Sequence, residues 1–496
     1  MDARVIRPVG CTGSFNTSRH NLGLCRCVVF TARYVAHKTF LESDSLKSVV
    51  ASALVAVINQ HPMLRVGIAG EDTNNPVYVD LESIDLQRVI EWREVEFLDD
   101  EEYNNYLIRS IESQHDKLWE DLVHRPGWKI IVHRNIGGAG LGIVDLDISF
   151  AFHHAIGDGQ SALIFHRDFS RALNGAATTA SPDLEGHILH FSSTAILPGP
   201  MESIIPFTLS WNYFLKVILS ELWKNLAPSW FTPKLSTIPW TGERITLDPY
   251  KTNIRLFHIS PKNVGTLLTG CRENGTTLTP LFHALTAASL SSRLPIAAAA
   301  TFQTSTPISL RQFTNESEFD RKNTMHCLVT DHEYVFDPHL ISKLRTLMNS
   351  KTESSTESES LIWQLAVDLR RSLKGKVASL PHDDQLSLVR YISDWKRFWM
   401  DKIGERREDS WSCSNPGSLK ASDVGGGRWQ MKRMVFTQGA LPMGSAFEIN
   451  VAGVENEGVW VTVSWQETVV ETSLMECVVE DLRGWIDSFG ENGTFF

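Results

Sequence analysis

At 496 residues, the chain is long enough for two or three domains or one fused pair, taking roughly 100–200 residues per domain. A 42% apolar and 21% charged composition excludes disorder and coiled coil as the main theme, and a formal charge of −11 excludes a general nucleic-acid binder, which needs a basic surface. Seven cysteines, an odd and sparse count, exclude a disulfide framework; the opening MDARVIRPVG has no apolar stretch of signal-peptide length, so the expectation is a soluble, cytoplasmic protein.

A helix is expected over Ser43–Gln60, where Val49, Val50, Ala53, Leu54 and Val57 recur at helical spacing until His61-Pro62 stops it. Leu64–Ile68 then reads as a strand and Glu101–Leu118 as a second helix. Trp128–His133 and Leu141–Phe150 read as a strand pair turned at Asn135-Ile136-Gly137-Gly138, where glycine accepts positive φ cheaply. The run Gly142–Phe150 alternates apolar and polar side chains, as a half-buried strand does. It leads straight into His153-His154-Ala155-Ile156-Gly157-Asp158-Gly159, and a helix follows over Gln160–Leu173.

Residues 197–243 change character to prolines, tryptophans and an amphipathic helix with Trp211, Phe214, Leu215, Ile218, Leu222 and Trp223 on one stripe. It is too interrupted by polar groups to span a bilayer and lacks a basic polar face, so it is expected to be a linker helix packed on the domains it joins. The tryptophans at 211, 223, 230 and 240, and at 395 and 399, are expected in cores rather than on a ligand wall. After the linker the grammar repeats. Strands are expected over Asn253–Ile259, Phe302–Leu310, Met431–Gln438, Ala446–Val454 and Val459–Gln466. Helices are expected over Leu278–Leu290, Leu361–Leu373, Gln385–Lys402 and Ser473–Ser488, and residues 349–360 read as a solvated loop. The fold class is mixed α/β with two similar halves: 1–196, a crossing linker 197–243, and 244–496.

The segment from His153 to Gly159 matches H-H-x-x-x-D-G in full. An imidazole, neutral near pH 7, can take a proton from a hydroxyl, which suits general-base catalysis at a strand-to-helix junction. Asp158 is badly placed to touch the same ring across a sharp turn and better placed to hold the loop through a cation elsewhere in the chain. Gly159 lets the backbone enter the next helix without a Cβ clash.

This motif resembles that of the chloramphenicol acetyltransferase-like superfamily, and within it the chain is most similar to the fungal alcohol acetyltransferases. His61-Pro62-Met63-Leu64-Arg65 resembles the superfamily's HP-x-LR segment. Thr306-Pro307-Ile308-Ser309-Leu310-Arg311 resembles its SLR strand, and Ser414-Asn415-Pro416-Gly417 its SN-x-G strand. The D-F-G-W-G motif of the plant branch is absent. The resemblance implies two chloramphenicol acetyltransferase-like subdomains, each a mixed sheet flanked by helices, with a tunnel between them. It implies His154 as general base, His153 packed below it, and Asp158 in a structural salt bridge with Arg311. It implies an acyl-CoA, acetyl-CoA first, as the co-substrate and a small-molecule alcohol as the acceptor, with direct transfer and no acyl-enzyme. Ser305, Ser414 and Asn415 are the candidates for the oxyanion donor or tunnel lining.

The same resemblance leaves a rival of the same fold, a condensation or cyclisation enzyme using a carrier-bound acyl donor. Other chemistries find no support in the sequence. There is no G-x-S-x-G elbow, Cys25-x-Cys27 lacks the second pair a structural zinc needs, and Gly425-Gly426-Gly427 lacks the ending of a P-loop. His187 and His190 have only Asp183 as a near carboxylate and read as solvated loop residues. No metal, no tightly bound cofactor, no nucleic acid and no membrane span are expected, and the protein is expected to be a monomer.

Overall fold

The computed structural model describes residues 4–37, 45–137, 142–175, 184–226, 238–350, 355–424 and 427–496. Two large sheets organise them. The five-stranded first sheet runs, edge to edge, Trp429–Gln438, Val28–His37, Ile143–Phe152, Trp128–Asn135 and Ile90–Val95. The six-stranded second sheet runs Thr252–Ile259, Gly458–Gln466, Phe447–Val454, Trp411–Leu419, Gln303–Ser309 and Val329–Val335. Each carries its own helices and its own apolar core. Leu46–Gln60 and Gly159–Gly175 pack on the first sheet. Leu278–Arg293, flanked by Pro338–Asn349, Ser355–Ser379 and Thr472–Asn492, packs on the second. Among the described residues no helix is long and apolar enough to cross a membrane.

One strand joins the halves. Trp429–Gln438 falls among the expected strands of the second half, yet it pairs antiparallel with Val28–His37 at the edge of the first sheet. Its buried Arg433 explains the choice of partner, because a guanidinium without water needs a carboxylate. Arg433 Nη2 lies 2.7 Å from Asp147 Oδ1, and Arg33 Nη2 lies 2.8 Å from the other oxygen. The same strand stays tied to the second sheet, where Thr462 Oγ1 donates to the Phe436 carbonyl at 2.7 Å and Gln438 bonds Asn450 at 2.8 Å.

Most expected elements are present with shifted ends, but three differ. The Leu64–Ile68 strand begins as a 3₁₀ turn, Pro62–Arg65, and only Val66–Ala69 is extended. The expected helix Gln385–Lys402 is two pieces, a 3₁₀ helix Gln385–Tyr391 and an α-helix Trp395–Met400. Asp384 and Asp394 each accept a backbone N–H at the start of a piece, so the second cap restarts the chain in a new direction. The polar run 349–360 is not one loop: residues 355–360 are the first turns of Ser355–Ser379, with Thr356, Glu357 and Ser360 exposed and Ser358 buried, while 351–354 lie outside the described residues.

The linker helix, Trp211–Leu226, leaves the described part of its stripe largely open. Trp211 is 78% exposed and Leu219 62%, with Leu215 and Ile218 also open to solvent. It is held at one edge, through the Phe214 ring against Tyr391 and Ser210 bonded to Asp383. Trp395 and Trp399 are buried as expected, in a satellite core with Leu24, and Trp240 packs on the second core. Trp230, Asp183 and the glycines 425 and 426, like Gly138 of the expected turn, lie outside the described residues, as does the side chain of Trp223. His187 is half exposed, 3.7 Å from Asp85, and all seven cysteines are free.

Candidate active site

The Ile143–Phe152 strand is buried along most of its length and delivers the two histidines at its end, where Gly159–Gly175 turns away. Their environments differ. His153 is buried and His154 retains a partly open face. His154 Nδ1 bonds the Gly157 carbonyl at 3.1 Å, with Cys327 Sγ at 3.6 Å from the same nitrogen. A carbonyl only accepts, so Nδ1 carries the proton and Nε2 keeps its lone pair. Burial first, and the nearby Arg19 cation second, hold His154 below the ordinary histidine value, so the ring is neutral. Gly157 has to be small: a Cβ there would lie 2.8 Å from Ser161 Cβ.

Asp158 points the other way, into the junction of the halves. Its Oδ1 accepts from Arg311 Nη2 at 3.0 Å, from the Ser161 backbone N–H at 2.8 Å and from the Ser161 hydroxyl at 2.9 Å. Its Oδ2 accepts from the Leu328 N–H at 3.1 Å. Burial alone would raise this carboxyl; Arg311 and the N–H groups of Ser161 and Leu328 override it and hold it below the usual range. Arg311 also donates to the Thr324 and His326 carbonyls, so one residue of the second half fastens the loop behind the motif of the first.

The Ser414-Asn415-Pro416-Gly417 segment is brought against the same junction. A Cβ on Gly159 would meet Pro416 Cβ at 3.3 Å, and Gln160 Nε2 donates to the Pro416 carbonyl at 2.7 Å. Gly159 therefore matters less for helix entry than for letting the second half approach. Asn415 is engaged on both sides: Nδ2 donates to Thr279 of the Leu278–Arg293 helix at 3.2 Å, and Oδ1 accepts from the Gly417 N–H of its own strand across an irregularity in the ladder. Ser305 is paired beside Ser412 on adjacent parallel strands, and Ser414 follows two positions on along the same face. The opposite face belongs to Thr304 and Trp411, which bond His283 in the core.

Beneath the motif lies a cluster the sequence reading missed. His153 Nε2 sits 2.9 Å from Glu71 Oε1, and His20 Nδ1 sits 3.0 Å from Glu71 Oε2. The Ala155 N–H donates to His153 Nδ1 at 2.9 Å, and the Trp119 N–H to His20 Nε2 at 3.0 Å. These three side chains have the reach of a metal triad. The backbone donors decide otherwise: each ring accepts on one nitrogen, so each carries its proton on the nitrogen facing Glu71 and offers no lone pair to a cation there. Burial alone would raise Glu71, yet the N–H bonds from His153 and His20 hold it at about 2.

Comparison with known proteins agrees with this geometry. The family described as alcohol acetyltransferase matches residues 17–480. The chain belongs to the alcohol acetyltransferase family. It is 32% identical over 99% of its length to a probable alcohol acetyltransferase, FCK4, of Fusarium pseudograminearum, covering 96% of that protein. It is 25% identical over 95% of its length to a probable alcohol acetyltransferase, crmB, of Aspergillus fumigatus, covering 97% of it. Among solved structures it resembles the TRI3 trichothecene 15-O-acetyltransferase of Fusarium sporotrichioides, with a TM-score of 0.66 at 11% identity over 96% of this chain and 94% of that one. The first condensation domain of the calcium-dependent antibiotic synthetase superposes with a TM-score of 0.61 at 11% identity, over 99% of this chain and 97% of that one.

The fold is thus the two-subdomain, chloramphenicol acetyltransferase-like one, and this alcohol acetyltransferase family member is an O-acetyltransferase. Membership implies an acyl-CoA co-substrate and a small-molecule acceptor. Of the residues singled out from sequence, His153, His154, Asp158, Gly159 and Arg311 converge on one junction, and the Ser414–Gly417 segment meets it. Glu71, His20, Cys327 and Ser161 were not foreseen. Each comes from a different segment, and no spacing in the chain signals their meeting.

Proposed function

We propose that the chain transfers the acetyl group of acetyl-CoA directly to a hydroxyl of a small acceptor of secondary-metabolite type, with His154 as general base. The observation that carries the reading is the His154 ring itself: Nδ1 is fixed on the Gly157 carbonyl, which leaves Nε2 as the acceptor of a neutral ring on a residue that is only partly buried. Nε2 takes the proton from the acceptor hydroxyl as the oxygen attacks the thioester carbonyl. The tetrahedral oxyanion then collapses, the carbon–sulfur bond breaks, and the CoA sulfur leaves with the proton returned from Nε2. The net change is an ester and a free thiol for an alcohol and a thioester, with no acyl-enzyme. His154 is charged only while it holds that proton, and its Nδ1–H bond to a carbonyl strengthens as it does so.

In this reading 1–196 and 244–496 are the two subdomains, 197–243 crosses between them, and the second lends the first its edge strand. Acceptor and acetyl-CoA approach the base from opposite mouths of a tunnel between them. Ser305 and Ser414 are the oxyanion candidates on the sheet face away from the core; Asn415, engaged by Thr279 and Gly417, is a weaker one. The test is thiol release from acetyl-CoA with a panel of alcohols, comparing wild type with His154→Ala. Loss of a general base is expected to cost about 10²–10⁴-fold in kcat. Equal rates in the two proteins overturn the assignment.

A further inference from the structure

We infer that Glu71 is a positioning residue for the base, acting through His153 and His20 as a clamp that fixes the orientation of His154. The inference rests on the proposed role of His154 and adds to it a residue outside the sequence motif. Glu71 sits in the turn after the Val66–Ala69 strand, with its side chain only 14% exposed. Both its carboxylate oxygens are taken, one by each ring, at 2.9 and 3.0 Å. The two rings also touch each other edge to face, with centroids 4.6 Å apart.

The clamp grips the backbone that carries His154 from both sides. The His153 ring is bonded to Glu71 at one nitrogen and to the Ala155 N–H at the other, so it bridges across residue 154 and stiffens that peptide segment. The His153 N–H in turn donates to the Gly127 carbonyl at 2.7 Å. His20 ties the same carboxylate to the Cys11–Asn21 helix, which also carries Asn16, whose Nδ2 lies 3.6 Å from Cys327 Sγ. Cys327 is the group beside His154 Nδ1. The floor under the base and the thiol flanking it are therefore indexed to one another through Glu71. Because both rings donate toward Glu71, only a group with two acceptors satisfies them. An amide there turns one N–H toward another N–H and leaves a buried donor unpaired.

The variants are Glu71→Gln, which keeps the volume, and Glu71→Asp, which keeps the charge but is one methylene short and so reaches only one ring. Two readouts are taken. The first is kcat and the KM for acetyl-CoA across pH, by thiol release with the best alcohol of a panel. The second, independent of activity, is the ¹⁵N shift pattern of the histidine rings in the folded full-length protein. For Glu71→Gln the expected result is a fall in kcat of about tenfold or more with KM within about twofold. The acid limb of the pH profile should move to lower pH, because loosening the Nδ1–H bond to the Gly157 carbonyl removes a contact that favours the protonated ring. His154 should lose its single Nδ1–H tautomer. Glu71→Asp should fall between Gln and wild type, and it carries the test if the Gln variant fails to fold. A kcat within twofold of wild type, or a profile lowered without moving its limb, together with an unchanged His154 tautomer, overturns the inference. If wild type releases no thiol with any alcohol, the acetyl-transfer reading fails and the ring shifts alone decide the clamp.

Discussion

Asp158 and Arg311 stand 153 residues apart in the chain and 3.0 Å apart in space, and neither side chain is more than 8% exposed. The pair lies behind His154 rather than against it. The carboxylate holds the loop after the base to the second half, through the guanidinium and through the Leu328 and Ser161 N–H groups. On the proposed reading, Asp158 sets where the base sits without meeting the acceptor.

Replacing Asp158 with Asn should therefore destabilise the protein as well as slow it. Removing one partner of a buried pair leaves the other charge uncompensated and costs about 3–5 kcal/mol. The pH dependence has a definite sign. A carboxyl held below its unfolded value of about 3.9 contributes stability above that pH and loses it as pH falls through its folded value. The gap between wild type and Asp158→Asn should be full at pH 7 and should narrow below about pH 4. Denaturant melts at the two pH values check it; equal midpoints at pH 7 contradict a structural pairing.

The fold and the centre of the site were legible in the sequence because they are written locally. H-H-x-x-x-D-G needs only seven consecutive residues, and alternating strands or capped helices need about ten. What escaped was decided at a distance. Val28–His37, the strand beside the motif strand, is buried on both faces along its first residues, so its apolar run carries no period of two. Trp429–Gln438 reads as a strand, but its choice of sheet depends on Arg433 finding Asp147. Glu71 and His20 are unremarkable as sequence; their role exists only where a turn, a helix and a strand end meet. The exposed Trp211, Leu215 and Ile218 show the converse, since helical periodicity specifies an apolar face without specifying a partner.

The His154 ring should set the acid limb of kcat/KM below about 6.5, the ordinary histidine value, because burial and then Arg19 disfavour its protonation. A lowered value means the pH has to fall further before the base is lost. Arg19 reaches toward the site from the Cys11–Asn21 helix, over the Phe15 ring at 5.1 Å, with its Nε buried and unpartnered. Arg19→Gln removes the cation, so the limb should move up in pH. A limb that stays in place or moves down contradicts the assignment of that charge to the base.

Gly157 supplies the carbonyl that orients the ring, and its own missing side chain is what lets Ser161 approach. In Gly157→Ala the new Cβ meets Ser161 Cβ at 2.8 Å and Ser161 Oγ at 3.1 Å. Ser161 Oγ is the group that bonds both Asp158 and the His326 backbone, so it cannot retreat freely. Overpacking of this kind costs about 1–3 kcal/mol. The expected outcome is a drop in kcat larger than any rise in the KM for acetyl-CoA, with a lower melting temperature. Wild-type kcat in this variant removes the carbonyl contact from the account.

Glu448 is the buried acid of the second sheet, in register with Ser412 on one side and Ser464 on the other. Burial pushes it up to about 8, with Asp409 and Asp331 adding to the rise and hydrogen bonds from Ser412 and Ser445 opposing it. Unfolded, a glutamate titrates near 4.3. Between about pH 4.3 and 8 the folded chain thus holds a proton the unfolded chain has released, and this contribution to stability declines as pH rises. Glu448→Gln is neutral at every pH. The variant should match wild type at about pH 4 and melt above it at pH 9, the gap opening between those values. Melting temperatures across that range decide the matter: a gap independent of pH means that Glu448 is ionised in the fold. The row Ser305, Ser412, Glu448 would then present a charge, not a neutral acid, on the sheet face that carries the oxyanion candidates.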